Sequence, residues 1–327
     1  WIKKLKIMPR HCKIIATYFG VRRTYPYTYK DTIKVLKNSI QNEIELDPGV
    51  DNLDVIIVNH NCGIKEANDF LDSLDGTKTF AGKVRIFHAP WNDGIGMSLG
   101  SMNYGFNKVK DDYDYFFFQE DDYKVPKKDY YKNGIEILKQ EDVGFVGYDM
   151  LSIVRHSDAV GEGYLKYVFY LPIILWGYKE YLHKHNITID KIVKLRKSNQ
   201  FPYAGGLMGL THKKYLNQII EMNGKLCYPE IPNPRHSKRF IEFGEKTLWS
   251  MIKTFFLYNH YVTWYWLYCV LGEVEFTRIY YDFGYKVTHF PDTHNLVYSY
   301  KIGRFKSSDN EKKYLVEDLF TDLENVD

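Results

Sequence analysis

The stretch DYFFFQEDD (114–122) runs three phenylalanines directly into three consecutive acids, Glu120, Asp121 and Asp122. Aromatic residues favour strands, and a continuous apolar run suits a strand covered on both faces. Carboxylates clustered at its end repel one another unless they share a cation or a proton. The stretch therefore predicts a buried strand whose tip carries ligand chemistry.

Three similar units precede it. CKIIATYFGV (12–21) is apolar and β-branched and predicts a buried strand. YKDTIKVLKNSIQNEI (29–44) places Ile33, Leu36, Ile40 and Ile44 at helical spacing. DPGVDN (47–52) is a turn, and LDVIIVNHN (53–61) a second buried strand ending in polar residues. IKEANDFLDSL (64–74) predicts a helix, VRIFHAP (84–90) a third strand and MSLGSMNYGFNKV (97–109) a further helix. Alternation of this kind, with near-continuous apolar strands, predicts an α/β fold with a parallel sheet covered by helices on both faces. Ligands of such sheets bind beyond the carboxyl ends of the strands. That edge would carry Thr17 and Tyr18, Asn59 and Asn61, Asn92 and Asp93, and Glu120 to Asp122.

Beyond residue 126 the alternation fades. VGFVGYDML (143–151) predicts another strand, and FPYAGGLMGLTHKKYL (201–216) a strand or loop entering a helix. CYPEIPNPRHSKRF (227–240) is a loop, and FGEKTLWSMI (243–252) opens a helix with Glu245 near its start. The predicted organisation is a ligand-binding half at 1–126, an aromatic-rich half at 127–300 and an acidic tail at 301–327.

Composition narrows the classes. The chain has 327 residues, 45% hydrophobic and 26% charged, with a net charge of +3 that gives no nucleic-acid signature. Its 29 tyrosines suit flat polar ligands such as sugars, and biased base composition in the source genome would produce the same excess. Cys12, Cys62, Cys227 and Cys269 stand too far apart for a zinc knuckle and read as free thiols of a reducing, cytoplasmic compartment. The start, WIKKLKIMPRHCK, lacks the apolar core of a signal peptide. The run TFFLYNHYVTWYWLYCVLG (254–272) reads as a buried helix or helix pair. Peripheral membrane contact is the competing reading, because Tyr and Trp favour interfaces.

On an extended strand Glu120 and Asp122 would share a side, with Asp121 opposite. Two carboxylates so placed can chelate Mg²⁺ or Mn²⁺, which prefer oxygen ligands and complete their shell with ligand phosphates. The competing reading is a solvated strand end neutralised by Lys124.

At this point the chain resembles the GT-A fold glycosyltransferases, in particular their family 2-like group. The resemblance lies in an ordered set: Thr17-Tyr18, then Asn59-His60-Asn61, then WNDGIGMSLGSMNYGF (91–106), then DYFFFQEDD, and downstream YAGGLMGLTHKKYL. It implies an α/β GT-A fold, a Rossmann-like, mixed, mostly parallel sheet flanked by helices, and transfer of a sugar from a nucleotide-sugar donor to a hydroxyl of a glycan acceptor, with Mn²⁺ or Mg²⁺ as cofactor. It implies that Thr17 and Tyr18 line the nucleoside, that Asn59 or Asn61 meets the base, and that Asp93 and Gly94 approach the nucleotide. Relatives often carry Asp where Asn59 or Asn61 stands, which leaves the identity of the base open. It further implies Asp122 as the direct metal ligand, Glu120 as a metal or ribose contact, Asp121 beside them and His289 as a third ligand. Glu245, with Glu242 next in line, would be the general base of an inverting transfer. Two other classes compete: a sugar-nucleotide nucleotidyltransferase, which usually needs a glycine-rich phosphate loop where this chain has ATYFGVRRTYPYTY, and a binding module without turnover.

Overall fold

The computed structural model describes residues 9–17, 29–60, 64–90, 96–121, 123–125, 127–147, 150–151, 203–204, 208–226, 272–273, 275–290 and 298–299. The predicted units appear in order: β1 (His11–Thr17), α1 (Tyr29–Glu45), β2 (Leu53–Asn59), α2 (Lys65–Leu74), β3 (Val84–His88), α3 (Met97–Val109) and β4 (Tyr115–Glu120). After them come β5 (Tyr123–Lys124), α4 (Tyr130–Leu138), β6 (Val143–Gly147), β7 (Met150–Leu151), β8 (Tyr203–Ala204), β9 (Gly209–His212) and α5 (Lys213–Asn223). The last are α6 (Glu275–Asp282), β10 (Lys286–His289) and β11 (Tyr298–Ser299).

One seven-stranded sheet forms the centre, in the order β3-β2-β1-β4-β9-β6-β10. The pairs β2/β3, β1/β2, β1/β4 and β6/β10 are parallel, whereas β9 runs antiparallel to both β4 and β6. The mixed, mostly parallel, helix-flanked sheet expected from the sequence is thus the observed architecture.

Strand alternation sorts the core into two layers. Ile14, Ala16, Ile56, Val58, Phe116 and Phe118 pack against Leu99, Met102 and Phe106 of α3 and against aromatic residues of α5 and α6. On the other face Ile15, Val55 and Ile57 meet Leu36 and Ile40 of α1 and Leu71 of α2. Phe117 meets Tyr130, Tyr131 and Ile135 of α4 on that same side. Burying each phenylalanine of the FFF run stabilises the fold by roughly 2 kcal/mol. This explains why the strand forms despite the repulsion at its tip.

Two glycines set how closely helices approach the sheet. A Cβ at Gly105 of α3 would stand 2.7 Å from Val58 Cγ2, and one at Gly134 of α4 2.6 Å from Leu210 Cδ2. Among the described residues no helix is long and apolar enough to cross a membrane. Nearly all of the 254–272 run lies outside those residues.

Candidate active site

Strand order defines where a ligand would sit. From β1 the chain moves to β2 and β3 on one side and to β4 on the other. The crevice between the carboxyl ends of β1 and β4 is therefore the switch point, the usual ligand site of such sheets. Thr17 ends β1 and Glu120 ends β4; Asp121 follows directly, its N–H donating to Ala16 O at 3.0 Å. The opening stretch thus delivers Glu120 and Asp121 to this crevice.

Glu120 is half-buried and faces α3, where Ser98 Oγ donates to its Oε1 at 2.6 Å. Ser98 lies in the first turn of α3, which begins after Gly96 in the left-handed region (φ 68°). One turn on, Ser101 Oγ and His60 Nδ1 share a hydrogen bond of 2.6 Å, both side chains buried. Two serines three residues apart on one helical face thus tie the start of α3 to the ends of β4 and β2.

The opposite face carries Thr17 and Asn59. The Thr17 hydroxyl is buried and donates to Val58 O at 2.9 Å. Asn59 Nδ2 donates to Asn68 Oδ1 at 2.7 Å and to His88 Nδ1 at 2.8 Å. Because His88 accepts at Nδ1, its proton sits on Nε2, which donates to Asp72 Oδ1 at 2.7 Å. Asn59 is fully buried, with both amide hydrogens engaged. Asp121 is almost fully buried, at 5% exposure.

β4 stops at Glu120, and Asp121 opens a turn. Asp122 itself lies outside the described residues. So do Tyr18, Asn61, Asp93, Gly94, Glu242 and Glu245. His289 ends β10, with Nδ1 donating to Phe290 O at 2.9 Å. Three strand spacings of about 4.8 Å put β10 roughly 14 Å from β4 across the sheet. Among the described residues no three His, Cys, Asp or Glu side chains gather where they could hold a metal ion. The carboxylates of Glu120 and Asp121 at the crevice are donors of the type that suits Mg²⁺ or Mn²⁺.

Reading the sequence missed Ser98, Ser101, Asn68, Asp72 and His88. A signal existed for the serines, which recur at i and i+3 in MSLGSMNYGF. None existed for Asn68 or Asp72, which read as ordinary polar positions of an amphipathic helix.

No family model matches the chain, and no curated protein matches it. Among solved structures it is similar to 4-diphosphocytidyl-2C-methyl-D-erythritol synthase from Anaerococcus prevotii, at 12% identity and a TM-score of 0.25, over 44% of this chain and 58% of that one. It is also similar to mouse xyloside xylosyltransferase 1 in its apo form, at 11% identity and a TM-score of 0.31, over 61% of this chain and 78% of that one. The chain spans little more than half the length of the first. Likenesses this distant assign no activity to it.

Proposed function

We propose that the chain is a metal-dependent GT-A glycosyltransferase, moving a sugar from a nucleotide-sugar to a hydroxyl of a glycan acceptor with inversion. The observation that carries the reading is the placement of Glu120 and Asp121 at the carboxyl end of β4, beside β1 at the point where strand order reverses. A nucleoside diphosphate brings negative charge, so a carboxylate-lined crevice suits it only with a divalent cation between the two. Asp122 and Glu120 would hold that cation. When bound, the ion supplies Lewis-acid stabilisation of the departing diphosphate.

The chain's own groups do the rest. Ser98 holds the Glu120 carboxylate against the first turn of α3. Asn59 or Asn61 would meet the base, whose identity stays open. Thr17 and Tyr18 would border the nucleoside, with Asn61, Asp93 and Gly94 near the nucleotide. Glu245 would take the proton of the acceptor hydroxyl, Glu242 being next in line.

Turnover of a nucleotide-sugar panel with and without Mn²⁺ tests the reading. Mn²⁺-dependent release of nucleoside diphosphate, increased by a glycan acceptor, supports it. Release of pyrophosphate from a nucleoside triphosphate would identify a nucleotidyltransferase instead. Donor binding without turnover would identify a binding module.

A further inference from the structure

The turn that carries the acids is gripped from the α1 side. The Tyr123 carbonyl accepts from Gln119 Nε2 at 2.6 Å and from Ser39 Oγ at 3.2 Å. Gln119 Nε2 also donates to Ser39 Oγ at 3.3 Å, which closes a triangle. Three residues along α1, Asn42 Nδ2 donates to Val125 O at 2.9 Å. Ser39 and Asn42 share one helical face, and that face is turned to the chain just after the acids. Ser39 and Gln119 are both fully buried.

This arrangement leaves a buried group unmatched. Both amide hydrogens of Gln119 are engaged in the triangle, and its carbonyl oxygen Oε1, buried in the same place, has no hydrogen-bond partner. Such an acceptor lowers stability, and native proteins keep few of them. Leucine at 119 would fill nearly the same space, as Phe117 does one step back on the same face, without that penalty.

We propose that Gln119, Ser39 and Asn42 are positioning residues: they fix the chain from Tyr123 to Val125 and so aim the acids immediately before it. The inference rests on the metal-dependent reading above. None of the three touches the donor or the ion; they act through the two backbone carbonyls. Outer-shell partners of this kind tune metal sites by holding first-shell ligands in place.

The test uses the full chain as Gln119→Leu, Asn42→Ala, Ser39→Ala and Ser39→Thr, with MnCl₂ and UDP as probes. Mn²⁺ affinity is read by electron paramagnetic resonance in the presence of UDP, and Tm is read alongside. Gln119→Leu is expected to keep or raise Tm while Mn²⁺ affinity falls by about 10- to 100-fold. Ser39→Ala and Asn42→Ala are expected to weaken Mn²⁺ binding in the same direction, and Ser39→Thr, which keeps the hydroxyl, to restore it. Wild-type Mn²⁺ affinity in Gln119→Leu would overturn the proposal alone, as would affinity and Tm falling together. Should Gln119→Leu fail to fold, equal Mn²⁺ affinities in Ser39→Ala and Ser39→Thr would overturn it. A wild-type chain that binds no Mn²⁺ with UDP would sink the metal-dependent reading and this inference with it.

Discussion

Replacing Lys13 with methionine is the most demanding test of how the sheet is held. Lys13 occupies the third position of β1 with its side chain fully buried, paired with Glu43 of α1. Its ammonium also donates to Tyr130 OH at 3.2 Å and lies 5.1 Å from the Phe117 ring and 4.9 Å from the Tyr130 ring. Burial pulls the ammonium below the ordinary lysine range, and the Glu43 carboxylate opposes that pull. Methionine fills the same length but leaves Glu43 buried, with the Tyr130 hydroxyl donating to it at 3.4 Å. Removing one partner of a buried pair costs about 3–5 kcal/mol. At roughly 2 °C per kcal/mol for a chain of this size, Tm should fall by roughly 6–10 °C. The double variant Lys13→Met/Glu43→Leu removes both charges and should return to wild-type stability or exceed it. Urea unfolding of the four proteins gives a coupling energy, expected at about 3 kcal/mol or more. A double variant as unstable as the two singles added together would refute the reasoning, because the charges would then be acting independently.

Three further outcomes are expected. Gly105→Ala should cost roughly 1 kcal/mol in urea unfolding, since overpacking against Val58 outweighs the gain in helix propensity, and should weaken donor binding as Ser98 moves off Glu120; a stabilised variant would contradict the close seating of α3. Burial lowers the folded-state pKa of His11 below its ordinary 6.5, so its contribution is complete above that pH and lost as pH falls through the folded value. Wild-type Tm should therefore drop on acidification, and His11→Gln should flatten the drop in part, because burial lowers His212 as well; an unchanged slope would remove His11 from the account. Asp122→Asn should abolish transfer at unchanged Tm, and Glu245→Gln should abolish transfer with donor binding kept, while normal transfer by the latter would move the base to Glu242.

The first four strands and the three helices between them were legible because each strand is an apolar run bounded by polar residues. IIVN and FFFQE carry their own ends. Helix α3 was legible despite its glycines, since Leu99, Met102 and Phe106 recur on one face. The stretch 201–216 was legible as a strand or loop entering a helix, which β9 and α5 form, but the antiparallel direction of β9 was not, because GLMGL has neither period two nor period 3.6. Helix α4 and the pair α6–β10 were missed for a related reason: each is short, and what seats it is contact with distant residues rather than local pattern. The site was legible only at its strand tips. Ser39, Asn42 and Ser98 sit at positions that a one-dimensional pattern reads as solvent-facing, yet the turn and the carboxylate they hold come from a distant strand. Lys13 shows the converse, a charge inside an apolar run whose partner lies on α1, thirty residues away.

The central claim is that the acids ending β4 capture a divalent ion together with a nucleoside diphosphate. A crystal grown with MnCl₂ and UDP, examined by anomalous scattering at the manganese edge, tests it directly. The account predicts a manganese peak within bonding distance of Asp122 or Glu120, bridged to the diphosphate in the crevice between β1 and β4. A peak elsewhere, or bound UDP with both carboxylates turned to solvent, would contradict it.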